Sequence, residues 1–231
     1  MNLHQNLECV LEKIETAKTK SSINHRVELV AATKTRDIST IEECYKLGIK
    51  TIGENRIQEA TEKFTYFHGF EKITKRFIGH LQSNKVTKCL KVFDTVDSVD
   101  SLKLAKKLNS TPKNNHNKLE CLLEINTSGE PQKNGFSPNI SIDLISCFSL
   151  PELKIVGLMT IGPNTKNKKR IRGAFAGLRK IKEEINKEIG TDVLTELSMG
   201  MTNDYELGVQ EGSTMVRLGT GLFGKREQPH W

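Results

Sequence analysis

No stretch of this chain is apolar for long enough to cross a bilayer, and no linker rich in Pro, Gly or Ser divides its 231 residues. The N-terminus, MNLHQNLECVLEKIETAK, carries acidic residues and no apolar run, so a signal peptide is not expected. The five cysteines (Cys9, Cys44, Cys89, Cys121 and Cys147) form no CxxC and pair with no histidine at metal-ligand spacing. An odd, scattered set of this kind reads as reduced thiols in a cytoplasmic protein. A Walker loop, a catalytic triad and a metal cluster are also missing. Acidic residues are in deficit, 28 against 35 Lys and Arg, for a net charge of +7. The densest basic run, KNKKRIR at 166–172, has no aromatic residue interleaved for base stacking. It reads as a solvated basic face, with neither nucleic acid nor membrane expected as a partner. The excess positive charge instead favours the approach of a phosphorylated small molecule.

What remains is a folded, soluble composition, 36% hydrophobic and 27% charged, which excludes a disordered chain. The length suits one α/β barrel domain over residues 1–231. Eight short runs rich in β-branched residues occur in order: 27–33 (VELVAAT), 51–54, 76–79, 92–96 (VFDTV), 119–125 (LECLLEI), 154–159 (KIVGLM), 196–199 and 215–218. Between them, apolar residues recur at helical spacing, as in Ile41, Cys44, Tyr45 and Leu47; Leu102, Leu104, Ala105 and Leu108; and Phe175, Leu178, Ile181 and Ile185. Ser39 with Glu42, and Asn203 with Glu206, have capping-box spacing, and Ser98 precedes another helical run. Alternating strands and helices imply parallel pairing with right-handed crossovers. Eight such units close as a (β/α)8 TIM barrel, here with an extra helix over residues 2–20; five or six would leave an open doubly wound sheet.

In such a barrel, chemistry sits on the loops after the strands. The first strand leads to Lys34, the second to Glu54 and Asn55, the third to Gly79 and His80. The fifth ends in Asn126 and Thr127, the sixth in Met159 and Thr160, the seventh in Ser198-Met199-Gly200, and the eighth in Arg217-Leu218-Gly219-Thr220-Gly221. Lys34 follows an apolar run, and burial there would lower the ammonium pKa and free an amine to attack an aldehyde. A lysine that merely snorkels to solvent is the bland alternative. Strands seven and eight end in glycines that let a backbone approach phosphate, with Ser198 and Thr220 as hydroxyl donors. First and last strands adjoin in a closed barrel, so amine and phosphate cradle would face a phosphorylated aldehyde or ketone. His80 has no carboxylate at a recognisable spacing. Glu54 reads equally as a cap or ion-pair partner, and His4, His25, His68, His116 and His230 as surface residues.

Several motifs, in order along almost the whole chain, resemble the pyridoxal phosphate homeostasis proteins, the YggS/PROSC (PLPBP) family. They are AATKTR around Lys34, IGENRIQE at 52–59, FIGHLQSNK at 77–85, TVDSVDSLKLAKKLN at 95–109, INTSGEPQKNG at 125–135, GLMTIG at 157–162 and LSMGMTNDYELGVQEGSTMVRLGTGLFG at 197–224, followed by a basic tail. That family resembles the N-terminal barrel of alanine racemase, the fold-type III class of pyridoxal 5'-phosphate (PLP) enzymes. The resemblance implies that Lys34 carries PLP as a Schiff base, and that Ser198, Gly219 and Thr220 help hold the phosphate. It also implies that Arg217 points at the pyridine nitrogen, and that Asn55 and Met199 lie near the ring. A guanidinium there disfavours pyridine protonation and weakens the ring as an electron sink. Three positions depart from the family's usual pattern: Asp37 stands for a proline and can start a helix, Arg56 for a tyrosine, and Arg76 for a histidine.

The racemase's second domain, with its tyrosine base and dimer contacts, has no counterpart before Trp231, although Tyr205 or His80 could intrude as a second base. The expected function is therefore PLP holding in intracellular vitamin B6 homeostasis, by a monomer that releases PLP to incoming amines, with PLP-dependent apoenzymes as candidate recipients. The rivals are a PLP-dependent amino-acid racemase or related enzyme, and, further off, a Schiff-base aldolase acting on a sugar phosphate through Lys34.

Overall fold

The computed structural model describes residues 2–65, 73–113 and 117–224. Eight parallel strands close a barrel in sequence order: β1 (Glu28–Ala32), β2 (Thr51–Glu54), β3 (Thr74–Phe77), β4 (Thr95–Val99), β5 (Leu119–Glu124), β6 (Leu153–Met159), β7 (Glu196–Met201) and β8 (Met215–Leu218). Closure is made by β1 against β8, with Val30 opposite Arg217 and Ala31 opposite Leu218. The helices are α1 (Leu3–Thr19), α2 (Ile38–Lys46), α3 (Ile57–Thr65), α4 (Val86–Cys89), α5 (Leu102–Ser110), α6 (Ile142–Ser146), α7 (Lys168–Ile189), α8 (Tyr205–Gln210) and α9 (Thr220–Phe223). The barrel expected from the eight apolar runs, and the extra N-terminal helix, are both present.

Two strands sit differently from the sequence reading. β4 occupies 95–99 instead of 92–96, because Phe93 packs its ring edge-on against Phe64 and Phe77 outside the barrel. β3 starts at Thr74 and carries Arg76 into the interior. The expected caps also move. Asp37, not Ser39, caps α2: its Oδ1 accepts from the Thr40 N–H at 3.0 Å. Ser101, not Ser98, caps α5, since Ser98 lies inside β4. Asp204 precedes α8 without a side-chain capping bond, so the Asn203 box is not formed.

The core has two layers. Outside the barrel, the helices lay down apolar stripes, exemplified by Ile171, Ala174, Phe175, Leu178, Ile181 and Ile185 on α7. α1 buries Leu3, Leu7, Val10, Ile14 and Ala17 over α8 and α9, and Asn6 Nδ2 donates to the Leu222 carbonyl at 2.9 Å. Inside, the apolar cluster is small: Val30, Leu122, Val156, Met159 and Met215. Cys44, Cys89, Cys121 and Cys147 are buried free thiols, and burial pushes Cys44 and Cys89 up to about 12. Among the described residues, no helix is long and apolar enough to cross a membrane, and no group of three or more His, Cys, Asp or Glu could hold a metal.

Candidate functional site

β1 ends at Ala32, and a turn closed by the Arg36 N–H on the Thr33 carbonyl (2.9 Å) lifts the next residues above the barrel rim. Lys34 sits on that turn, exposed to solvent, so the expected buried ammonium is not found. Lys34 nevertheless lines a cavity of about 640 Å³ at the C-terminal mouth of the barrel. Across the closure, Gly219 follows β8 and packs beside Ala32: a Cβ there would lie 3.5 Å from the Ala32 carbonyl oxygen. The turn is also tied to the end of α9. Arg36 Nη2 donates to the Gly224 carbonyl at 3.1 Å, and the guanidinium lies 5.4 Å over the Phe223 ring. The lysine loop and the chain after β8 therefore form one wall.

The cavity floor is charged. Arg217, buried on β8, donates from Nη1 to Ser198 Oγ at 2.6 Å and from Nη2 to the Thr160 carbonyl at 2.7 Å. Burial pulls this guanidinium below its ordinary pKa, while Asp97, Glu124 and Asp204 oppose the shift. Glu124 ends β5 and also lines the cavity; burial raises its carboxyl pKa, and the charge of Asp100 adds to the rise. Asn55 contributes a buried Oδ1 with no hydrogen-bond partner among the described residues. The chain passes close here. A Cβ on Gly79 would fall 2.4 Å from the Asn55 carbonyl oxygen, so only glycine fits.

Of the cofactor-site residues read from the sequence, Lys34, Asn55, Arg217, Gly219 and Thr220 line this cavity, as do Gly79 and His80. Ser198 and Met199 are fully buried and do not. Ser198 holds Arg217, and Met199 turns outward into the helix-side core, because side chains alternate along β7. The hydroxyl that does reach the wall beside Thr220 belongs to Thr202, which accepts from the Gly221 N–H at 3.0 Å. The MGMTN stretch could have pointed to it, as a hydroxyl directly after a strand end.

His80 has a carboxylate after all: its Nδ1 lies 3.1 Å from Asp100 Oδ2, supplied by the next strand's loop. Tyr205 is buried under α1 and lines no part of the cavity, so it is no second base. His25 is half-buried, its Nδ1 2.8 Å from the Ile23 carbonyl, whereas His4 is exposed as expected. His68, His116, His230 and the basic tail lie outside the described residues.

Residues 6–227 match the family described as alanine racemase, N-terminal domain. The chain is 37% identical over 229 residues to the pyridoxal phosphate homeostasis protein of Haemophilus influenzae, covering 98% of this chain and 97% of that one. It is 37% identical to the mouse protein of the same name, over 86% of this chain and 77% of that one. Among solved structures, PipY of Synechococcus elongatus with PLP bound superposes with a TM-score of 0.82 at 31% identity, covering 96% of this chain and all of that one. An alanine racemase of Clostridium difficile shares the fold alone: TM-score 0.74 at 17% identity, over 99% of this chain and 58% of that one. With its closed barrel, its family match over residues 6–227 and a bacterial relative matched over nearly its whole length, the chain belongs to the pyridoxal phosphate homeostasis proteins of the alanine racemase N-terminal domain family.

Proposed function

We propose that this protein binds PLP in the cavity at the barrel mouth and serves intracellular vitamin B6 homeostasis as a holder of the cofactor. The observation that carries the reading is the closure of β1 on β8, which sets Lys34 beside Gly219 and Thr220. The wall suits the group: a primary amine for the aldehyde, the hydroxyls of Thr202 and Thr220 for the phosphate, and a buried guanidinium for the ring end. The orphaned Asn55 Oδ1 is a polar atom that a ring substituent would satisfy. The names of the homeostasis relatives and the PLP in PipY support the same assignment.

In this reading Lys34 Nζ would hold PLP as a Schiff base and would give it up to an incoming amine. When bound, PLP supplies a conjugated electrophile whose electron-sink strength depends on its ring nitrogen. Arg217, aimed by Ser198 and Thr160, would disfavour protonation of that nitrogen. Ser198 thus acts through Arg217 while Thr202 takes its place at the phosphate, and Met199 shapes the wall from behind. The protein works as a cytoplasmic monomer of one barrel domain, delivering PLP to apoenzymes.

PLP-loaded wild type is expected to show a visible absorption band that Lys34→Ala lacks; a wild type without the band overturns the assignment. A second reading, a small amino-acid enzyme, draws on the His80–Asp100 pair at the cavity rim, a ready acid/base. Steady deuterium incorporation at Cα across a panel of amino acids would favour it over the holder.

A further inference from the structure

Lys34 owes its place to side chains that never reach the cavity. It shares the inward side of Val30 and Ala32, whereas Thr33 turns into the layer between barrel and α3. Three charged residues meet in that layer: Glu54 at the end of β2, with Glu59 and Lys63 on α3. Lys63 Nζ donates to Glu54 Oε1 at 2.8 Å, to Glu59 Oε1 at 2.7 Å and to the Thr33 carbonyl at 2.8 Å, using all three of its protons. The Thr33 hydroxyl donates to Glu54 Oε1 at 2.7 Å, and the Thr35 N–H donates to Glu59. The residues before and after Lys34 are thus held by one ammonium and its two carboxylates.

Thr35 needs the hold. Its φ is 62°, in the left-handed region that a β-branched residue avoids. Stability alone does not account for the cluster. Buried ion pairs give little net stability over apolar packing, Lys63 and Glu54 are only 10% and 0% exposed, and Glu54 Oε2 has no hydrogen-bond partner among the described residues.

We propose that Lys63, with Glu54 and Glu59, positions Lys34: the triad locks the turn over 33–36, so that the lysine arm starts from a fixed point facing Gly219 and Thr220. The proposal rests on the reading of Lys34 as the cofactor lysine. These are positioning residues, since none of the three lines the cavity.

The test compares wild type with Lys63→Met, Lys63→Arg and the double variant Lys63→Met/Glu54→Gln, which leaves no unpaired charge on the fully buried carboxyl. Hydrogen exchange at the Thr35 amide is read in the protein without PLP, and PLP release by absorbance after loading. Exchange and release are both expected to quicken roughly tenfold or more in Lys63→Met and in the double variant, with Lys63→Arg in between. Exchange and release within about twofold of wild type in both Met variants overturn the proposal. So does faster release that merely tracks global unfolding, with Thr35 exchanging no faster than the amides of β5. A wild type with no lysine-dependent band defeats the Lys34 reading instead, and the Thr35 exchange, which needs no cofactor, still decides whether the triad holds the turn.

Discussion

Arg76 and Asp97 meet inside the barrel, Nε to Oδ2 at 2.8 Å, with Thr95 Oγ1 donating to the other carboxylate oxygen at 3.0 Å. Asp97 is fully buried and Arg76 nearly so. Burial pulls the guanidinium pKa down, but Asp97, with Glu28 and Glu120 behind it, more than offsets the pull, and the net shift is upward. Such a pair costs most when one partner is lost, because the other charge is left stranded. Arg76→Met and Asp97→Asn should each destabilise the fold by about 3–5 kcal/mol in urea unfolding. The double variant Arg76→Met/Asp97→Asn should cost less than the two singles added together; strict additivity would show that the two charges do not depend on each other. The same pair explains why two strands were misplaced in the sequence. The cations of TKRF and the Asp97-Ser98 pair of TVDSV dilute the apolar signal, so the linear pattern favours the neighbouring RFIG and VFDTV instead. Only the partner on the neighbouring strand makes Asp97 tolerable, and a linear pattern does not show partners. His80 and Asp100 were missed for the same reason: they lie 20 positions apart in the numbering but on adjacent strand ends.

At the scale of elements, the long, strongly periodic segments were legible. The stripe from Phe175 to Ile185 gave α7, and the β-branched runs gave most strands, because burial of one face or both imposes those patterns directly. Helix starts are less legible: a capping side chain at the right spacing marks a cap only if the backbone turns there, and at Ser39 and Asn203 it does not. α7 has a further peculiarity. It opens on Lys168, Lys169 and Arg170 with no acidic residue in its first turn, against the direction favoured by the helix dipole. Asn167 compensates, its Oδ1 accepting from the N–H groups of Lys169 at 3.0 Å and Arg170 at 3.2 Å. Asn167→Ala should therefore cost about 1 kcal/mol. Asn167→Asp should stabilise by about 0.3–1 kcal/mol at low salt, and the gain should shrink as salt is added. Thermal unfolding at two ionic strengths measures both; a salt-independent gain would show that the dipole is not its source.

For the whole molecule, α1 is the lid on the seam between the first and last strands. Leu3, Leu7, Val10 and Ile14 are buried against the α8–α9 side, each contributing roughly 1.5–3 kcal/mol by removal from water. Together these rival the roughly 5–15 kcal/mol by which a typical domain is stable. A variant lacking residues 1–20 should lose its cooperative thermal transition; a sharp transition at the wild-type temperature would show that the barrel stands without its lid.

The barrel's closing contact also has a consequence for its biosynthesis. The amine at position 34 is translated early, whereas its opposite wall, Arg217 to Thr220, is among the last parts of the described chain to be made. No growing polypeptide can grip a ligand between the two until nearly every strand has emerged and the ring has joined. Ligand capture then reports a finished fold, and by mass action a bound molecule stabilises only chains that have completed it.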